Sequence, residues 1–456
     1  MTAFTAADKL HRLVKHALDS GAAASITEAQ AMFAGYRIAL RIDDVGVRDP
    51  HQQAALMTAV ALARRVFLGG VTVSLQPGVP LHVPMPFGKT LAEAVVALGA
   101  SIGAVPDNIP LIEFGGVPGA RKTAFHVRAV FSGWRGGIVP AHFNAAPPPV
   151  SVMPLAPMLA ASLAINEAFL YVSGQTGMAG RRAVGLSLWN PAPDCDWLAV
   201  QNDEPELRLL PSHLWLIGLG HLGQAYMWAL GLLPYARSTD LRLLLQDVDI
   251  ITPSTESTSI LSDANLIGQM KTRSMAAWAE RRGFITSIQE RLFDASFSRQ
   301  RGEPTAALCG LDNSLGRQAL DQVGFDFVVE AGLGRGHQDF RALRLHTLPA
   351  SRSAAQIWKA DFQGEQLPDR PAYTQMLDKG ELDRCGVTLL AGKAVGAPFV
   401  GAAAATLAIA ELLRLLHGGP VHELIDLDLK FPEYRTVVLT KNDFGSLNPG
   451  YALVTP

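Results

Sequence analysis

Cysteine is scarce in this chain of 456 residues: Cys195, Cys309 and Cys385 stand far apart, and no CxxC pair occurs. That excludes a disulfide framework and a cysteine zinc site, so the expected compartment is reducing and cytoplasmic, with no structural zinc. Excess charge is lacking too. The 39 basic and 41 acidic residues nearly cancel, and there is no Lys/Arg stripe to release counterions from a phosphate backbone, which argues against a nucleic-acid partner. The opening MTAFTAADKLHRLVKHALDS places Asp8, Lys9, His11 and Arg12 where an export signal needs an apolar core; it reads as an amphipathic helix. One run, 394–410, is uncharged, but it is shorter than a bilayer span, built of Ala and Gly, carries Pro398 and ends at Glu411. It is expected to be a buried helix, with no membrane partner.

What remains is a globular composition, 48% hydrophobic and 18% charged, on a chain long enough for two or three domains. Short β-rich runs (YRIALRI, VTVSL, IPLIEF, AFHVRAVF) alternate with longer helical ones (PHQQAALMTAVALARRVFLGG, GKTLAEAVVALGA). That alternation predicts α/β folding with helix-covered, parallel, doubly wound sheet. A loop-like stretch, 190–211, holds Pro191, Pro193, Pro205 and Pro211 with five acidic residues; the main boundary is placed there, giving domains 1–200 and 201–456. The alternation then restarts with HLWLIGLG and LRLLLQDVD. The two halves echo each other: APMLAASLAINEAFLYVSG from Ala156 matches GAAAATLAIAELLRLLHGG from Gly401, and each copy leads into an apolar strand. The expected architecture is one Rossmann-like fold repeated in tandem.

Chemistry gathers in the second half. Gly218, Gly220 and Gly223 form GxGxxG in LWLIGLGHLGQAYMWAL, between a predicted strand and helix, where glycines let main-chain amides approach a phosphate. The next strand ends in QDVD, and Asp247 and Asp249 stand where an acid accepts hydrogen bonds from a ribose hydroxyl. Lys271 opens a later helix, within reach of a triphosphate. Asp312 and Asn313 follow the apolar run AALCGL, at a strand end where Mg²⁺ is held together with phosphates. Each feature alone is ordinary, since Lys271 also suits a solvated helix surface and Asp312–Asn313 a turn. Their order along the chain is what points to a nucleotide site.

Across 212–429 the chain resembles the ThiF/E1 superfamily, whose members activate ubiquitin-like modifiers and sulfur-carrier proteins by adenylating a C-terminal glycine. The matching segments are GLGHLG, QDVD, STESTSIL, IGQMK, LDNSLGR and RCGVTLLAGKAVG. The resemblance implies ATP and Mg²⁺ as cofactors and a small Gly-Gly-terminated protein as partner. It assigns ribose to Asp247, phosphates to Lys271, magnesium to Asp312 and a sulfur nucleophile, forming thioester or acyl-disulfide, to Cys385. It also implies that paired copies of the fold support one another's sites, here in cis, with a degenerate first half that lacks GxGxxG. Departures are specific: the family's phosphate-contacting arginine falls on Thr258, flanked by Ser257 and Ser259, a glycine is replaced by His221, and the zinc-binding CxxC pairs are missing. A neutral hydroxyl cannot supply the lost charge. Either another arginine substitutes, with Arg48 in GVRDPHQQ the candidate donor from the first half, or the chain is a degenerate member that binds nucleotide without turning it over.

The residues themselves leave two alternatives. An NAD(P)-dependent oxidoreductase uses the same GLGHLG and Asp247 but has no need of Lys271. A non-catalytic scaffold keeps the fold to hold a partner, and the threonine at 258 favours it.

Overall fold

A computed structural model describes residues 4–116, 123–199, 202–359, 370–379 and 382–455. Two sheets carry it. The first contains β1 (Arg37–Ile42), β2 (Gly70–Ser74), β3 (Ser101–Ile102), β4 (Leu111–Phe114), β5 (His126–Ser132), β6 (Arg135–Pro140) and β7 (Val184–Ser187), in the order β3-β2-β1-β4-β5-β6-β7. A small strand, β8 (Leu209–Pro211), pairs with the last one, β17 (Tyr451–Leu453). Between them the second sheet is built from β9 (His213–Ile217), β10 (Arg242–Gln246), β11 (Ile285–Gln289), β12 (Ala306–Cys309), β13 (Phe327–Leu333), β14 (Ala342–Leu348), β15 (His422–Asp428) and β16 (Thr436–Leu439). Its order, β11-β10-β9-β12-β13-β14-β15-β16, repeats the first sheet strand for strand and adds one.

The tandem repeat is therefore real at the level of topology. Only the first five strands of each sheet are parallel, however; β6 and β7, like β14, β15 and β16, run antiparallel. The expectation of parallel sheet fails there because β5 and β6 are joined by a tight two-residue turn, which only an antiparallel pair accommodates.

The two Ala-rich runs that echo each other in sequence are equivalent helices, Leu155–Val172 between β6 and β7 and Pro398–Leu416 between β14 and β15. Both are apolar and long enough to cross a bilayer, yet 89% of each apolar window is buried inside the protein. They pack against each other, and their alanines, Ala160, Ala164, Ala403 and Ala404 among them, are fully buried. Each carries one buried glutamate at the matching place. Glu167 accepts two hydrogen bonds of 3.1 Å from Arg182; Glu411 pairs with Arg414 and accepts from the His422 amide at 3.1 Å. Burial works against the Glu411 charge, but Arg414 and His422 outweigh it and hold the carboxyl below its ordinary range. Glu411→Ala leaves Arg414 charged and buried, and is expected to lower unfolding stability by about 3–5 kcal/mol, read as a fall in the denaturant midpoint.

The N-terminal segment crosses to the other half. Short helices Ala6–Lys9 and Lys15–Asp19 lie on the second sheet's side of the molecule. His16 meets the Phe340 ring at 5.0 Å, and the Tyr373 hydroxyl donates to Asp19.

Candidate functional site

The glycine turn lies between β9 and the helix His221–Leu232. Gly218 has φ +83°, and a side chain there would sit 3.2 Å from the Gly310 backbone at the end of β12, so only glycine serves. A Cβ at Gly223 would lie 2.0 Å from the Gly218 carbonyl oxygen, which is how the helix comes so near the strand. At Gly220 the nearest neighbour to a Cβ is Lys271 Nζ, 3.9 Å away. The open side of the turn therefore faces an ammonium.

Asp247 follows β10 and spends both oxygens on the main chain, accepting from Leu219 N at 2.7 Å and Asp249 N at 2.8 Å. It ties the glycine turn to the neighbouring strand end. Lys271 begins the helix Lys271–Arg282 and donates to Asp249 at 2.8 Å, with Asp247 at 3.7 Å. Asp249 is largely exposed and Lys271 largely buried, so a nucleotide would compete with a half-solvated ion pair.

Asp312 is exposed at the end of β12, beside the glycine turn. Asn313 caps the helix Ser314–Gln318, its Oδ1 accepting from Gly316 N at 2.6 Å. Arg317 fixes the position of this loop, donating to the Leu311 carbonyl at 2.9 Å and pairing with buried Glu330 at 2.8 Å. Among the described residues no three His, Cys, Asp or Glu side chains converge on a metal position. A lone Asp312 carboxylate suits Mg²⁺ carried in by phosphate oxygens and water, rather than a resident ion.

Three arginines from the first 65 residues clamp the segment STESTSIL, the one that lacks its own. Arg12 donates to Ser254 Oγ at 3.1 Å, and its amide donates to Ser257 Oγ at 3.1 Å. Arg64 pairs with Glu256 at 2.9 Å, and Arg65, buried, donates to the carbonyls of Glu256 and Ser262 at 2.9 and 2.6 Å. Arg65 is consumed by the backbone. Arg12 is not: its guanidinium, whose pKa is lowered by burial, is supported by the fields of Asp8 and Asp312. Arg48, the donor nominated from sequence, is exposed in the short turn Gly46–Arg48. Thr258 is buried, and its methyl would lie 2.9 Å from a Cβ at Gly396, so the threonine fills the space under the segment that follows Cys385.

Cys385 is exposed in the first turn of the helix Arg384–Gly392. Asp383 caps that helix, accepting from Gly386 N at 2.7 Å, and the helix packs against Ala6–Lys9. Cys309 is buried in β12, where desolvation pushes its thiol up to about 12, and Cys195 is raised by burial as well. Of the three thiols Cys385 is the most exposed.

The first half has no comparable turn. After β1 the place of Gly218 is taken by Asp43, whose carboxylate accepts from Gly46 N at 2.6 Å and Gly116 N at 2.5 Å. An internal anion caps amides that would otherwise be open to phosphate.

The family profile described as "BilD N-terminal domain" matches residues 37–188, and "BilD C-terminal domain" matches residues 210–419. "Bacterial E1-like protein BilD" of Collimonas sp. (strain OK412) is 43% identical over 447 residues, 97% of this chain and 95% of that protein. Among solved structures, E. coli MccB aligns with TM-score 0.35 and 12% identity over 51% of this chain and 63% of its own, so this chain spans under two thirds of it. E. coli tRNA N6-threonylcarbamoyladenosine dehydratase, TcdA, aligns with TM-score 0.29 and 14% identity over 45% of this chain and 86% of its own.

Proposed function

The chain belongs to the BilD family of E1-like proteins, and from that premise we propose that its second half uses ATP to adenylate the C-terminal carboxylate of a small protein partner. The observation that carries this reading is Arg12. The family's arginine is absent at position 258, and a guanidinium from the N-terminal segment stands instead on the same stretch, in the field of Asp312.

Glycine-turn amides and Lys271 hold the triphosphate against the end of β9, and Arg12 covers the side on which charge develops. The partner's carboxylate is already ionised and needs no side-chain base. Its oxygen bonds to the α-phosphorus, the bond to the β-phosphate bridging oxygen breaks, and pyrophosphate departs with the electron pair. Magnesium, held by Asp312 and the phosphates, would neutralise charge on the leaving group. Rate enhancement then comes from positioning and preorganised positive charge. In a second step the Cys385 thiolate attacks the acyl-adenylate carbonyl, forming a thioester and releasing AMP.

ATP–pyrophosphate exchange tests the first step: exchange that depends on a Gly-Gly-terminated partner supports it, and none with the cognate partner present overturns it. The steps are separable. Cys385→Ala is expected to keep exchange within about twofold while abolishing the thiol-sensitive adduct on non-reducing gels, because Cys385 acts only after pyrophosphate has left.

A further inference from the structure

Gln224 directly follows the last glycine of the turn, in the opening of the helix His221–Leu232, and it is fully buried although it is polar. Its Oε1 accepts from Leu261 N at 3.0 Å. A main-chain amide only donates, so this contact fixes which end of the carboxamide is the oxygen. The Nε2 end then donates to the Ser262 hydroxyl at 2.9 Å and to the Leu219 carbonyl, inside the glycine turn, at 3.2 Å.

Leu219 is therefore held from two sides, its N–H by Asp247 at 2.7 Å and its carbonyl by Gln224. The bond from Leu219 to Gly220 is trans, and in a trans peptide the carbonyl and the following N–H point in opposite directions. Drawing the Leu219 carbonyl toward buried Gln224 thus turns the Gly220 N–H away from the packed side of the helix. Gly220 is the residue whose open side faces Lys271 Nζ, so a main-chain amide and an ammonium can meet the same phosphate there. The far end of the link is anchored as well. Arg65, two residues beyond the helix Pro50–Ala63, donates to the Ser262 carbonyl at 2.6 Å and to the Ala61 carbonyl at 2.6 Å, which fixes the backbone that orients Gln224.

Resting on the adenylation reading, we propose that Gln224 is a positioning residue for that reaction: oriented by Leu261 and Ser262, it sets the Leu219–Gly220 peptide so that the Gly220 N–H is presented to a phosphate of ATP. Gln224 acts through the turn and touches no nucleotide itself. An amide fixed in advance needs no reorientation on binding. The contact is made alike in bound ATP and in the transition state, so its benefit falls on affinity.

The test compares ATP·Mg²⁺ with adenosine, which has no phosphate, by calorimetric titration of the full chain. In Gln224→Met, close in size but without a donor, ATP binding is expected to weaken about tenfold while adenosine binding changes by less than about twofold. In pyrophosphate exchange the KM for ATP rises by about the same factor and kcat stays within about threefold. Circular dichroism confirms that the variant is folded. Ser262→Ala removes one hydroxyl from the link; it is expected to weaken ATP binding about threefold alone and to add nothing to Gln224→Met, where the link is already broken. It also decides the matter should Gln224→Met not fold. ATP affinity within about twofold of wild type in folded Gln224→Met overturns the proposal. Equal losses for ATP and adenosine, the mark of a deformed pocket, overturn it too, as does unchanged ATP affinity in Ser262→Ala. Failure of the adenylation reading shows separately: a wild type without pyrophosphate exchange, whose ATP binding still depends on Gln224, overturns that reading and supports the assignment of Gln224.

Discussion

Arg12→Ala is expected to lower partner-dependent pyrophosphate exchange by about 10²–10³-fold, the scale seen when one preorganised charge is removed from a developing anion. The effect falls mainly on kcat, because Arg12 already has Ser254 Oγ as a partner and gains its second role as charge moves onto the phosphates. Arg12→Lys recovers part of the rate, since an ammonium keeps the charge but not the fork. Thr258→Arg in the Arg12→Ala background does not, because the Thr258 site is closed by the segment through Gly396. Stability is the control. Arg12 is only partly buried, and losing one side-chain hydrogen bond costs on the order of 1 kcal/mol, so a midpoint shift larger than that, with exchange intact per folded molecule, contradicts the assignment. Loss of exchange in Arg12→Ala would also count against a non-catalytic scaffold that only holds a partner.

Stability is expected to fall steeply between pH 6.5 and 4. Burial, helped by Arg65, brings the imidazoles of His11 and His221 down to about 4, and burial with Arg341 does the same for His16. Unfolded histidines titrate near 6.5, so across this window the unfolded chain binds up to three more protons than the folded one. The contribution is complete above pH 6.5 and is lost as pH falls toward 4, at up to about 1.4 kcal/mol per pH unit for each histidine. His11 has a direct geometric reason to resist protonation: its Nδ1 accepts from the Leu13 and Val14 amides at 3.2 and 3.4 Å. Urea unfolding at pH 7 and pH 5 checks this, with His11→Gln expected to flatten the dependence. Because His11 precedes Arg12 and His221 sits in the glycine turn, the proposed site loses its N-terminal arm in the same range.

Much of the second half was legible because its signals are local. GLGHLG, QDVD and Lys271 lie at consecutive strand and helix ends, and the fold brings Lys271 to Gly220 and Asp247 to Leu219 N as the doubly wound order requires. The repeat was visible because both central helices carry runs of small residues and a glutamate, Glu167 and Glu411, at the matching place. Arg12 was not legible. It reaches Ser254 across 242 residues; the expected opening helix is two short ones with Arg12 in the turn between them, and a single arginine there carries no mark of its destination. The signal available was indirect: a missing positive charge at 258 and basic residues in DKLHRLVKH. The antiparallel strands escaped notice since buried strands of either sense read as similar apolar runs.

The central claim, that the second half is built for ATP, is tested most directly by calorimetric titration of the purified chain with ATP·Mg²⁺ and with NAD⁺, on wild type and Lys271→Ala. The account predicts saturable ATP binding that weakens at least about tenfold in Lys271→Ala, since a charge-assisted contact to phosphate is lost. Binding of NAD⁺ with no binding of ATP, unchanged by removal of Lys271, would contradict it and make the glycine turn a dinucleotide site.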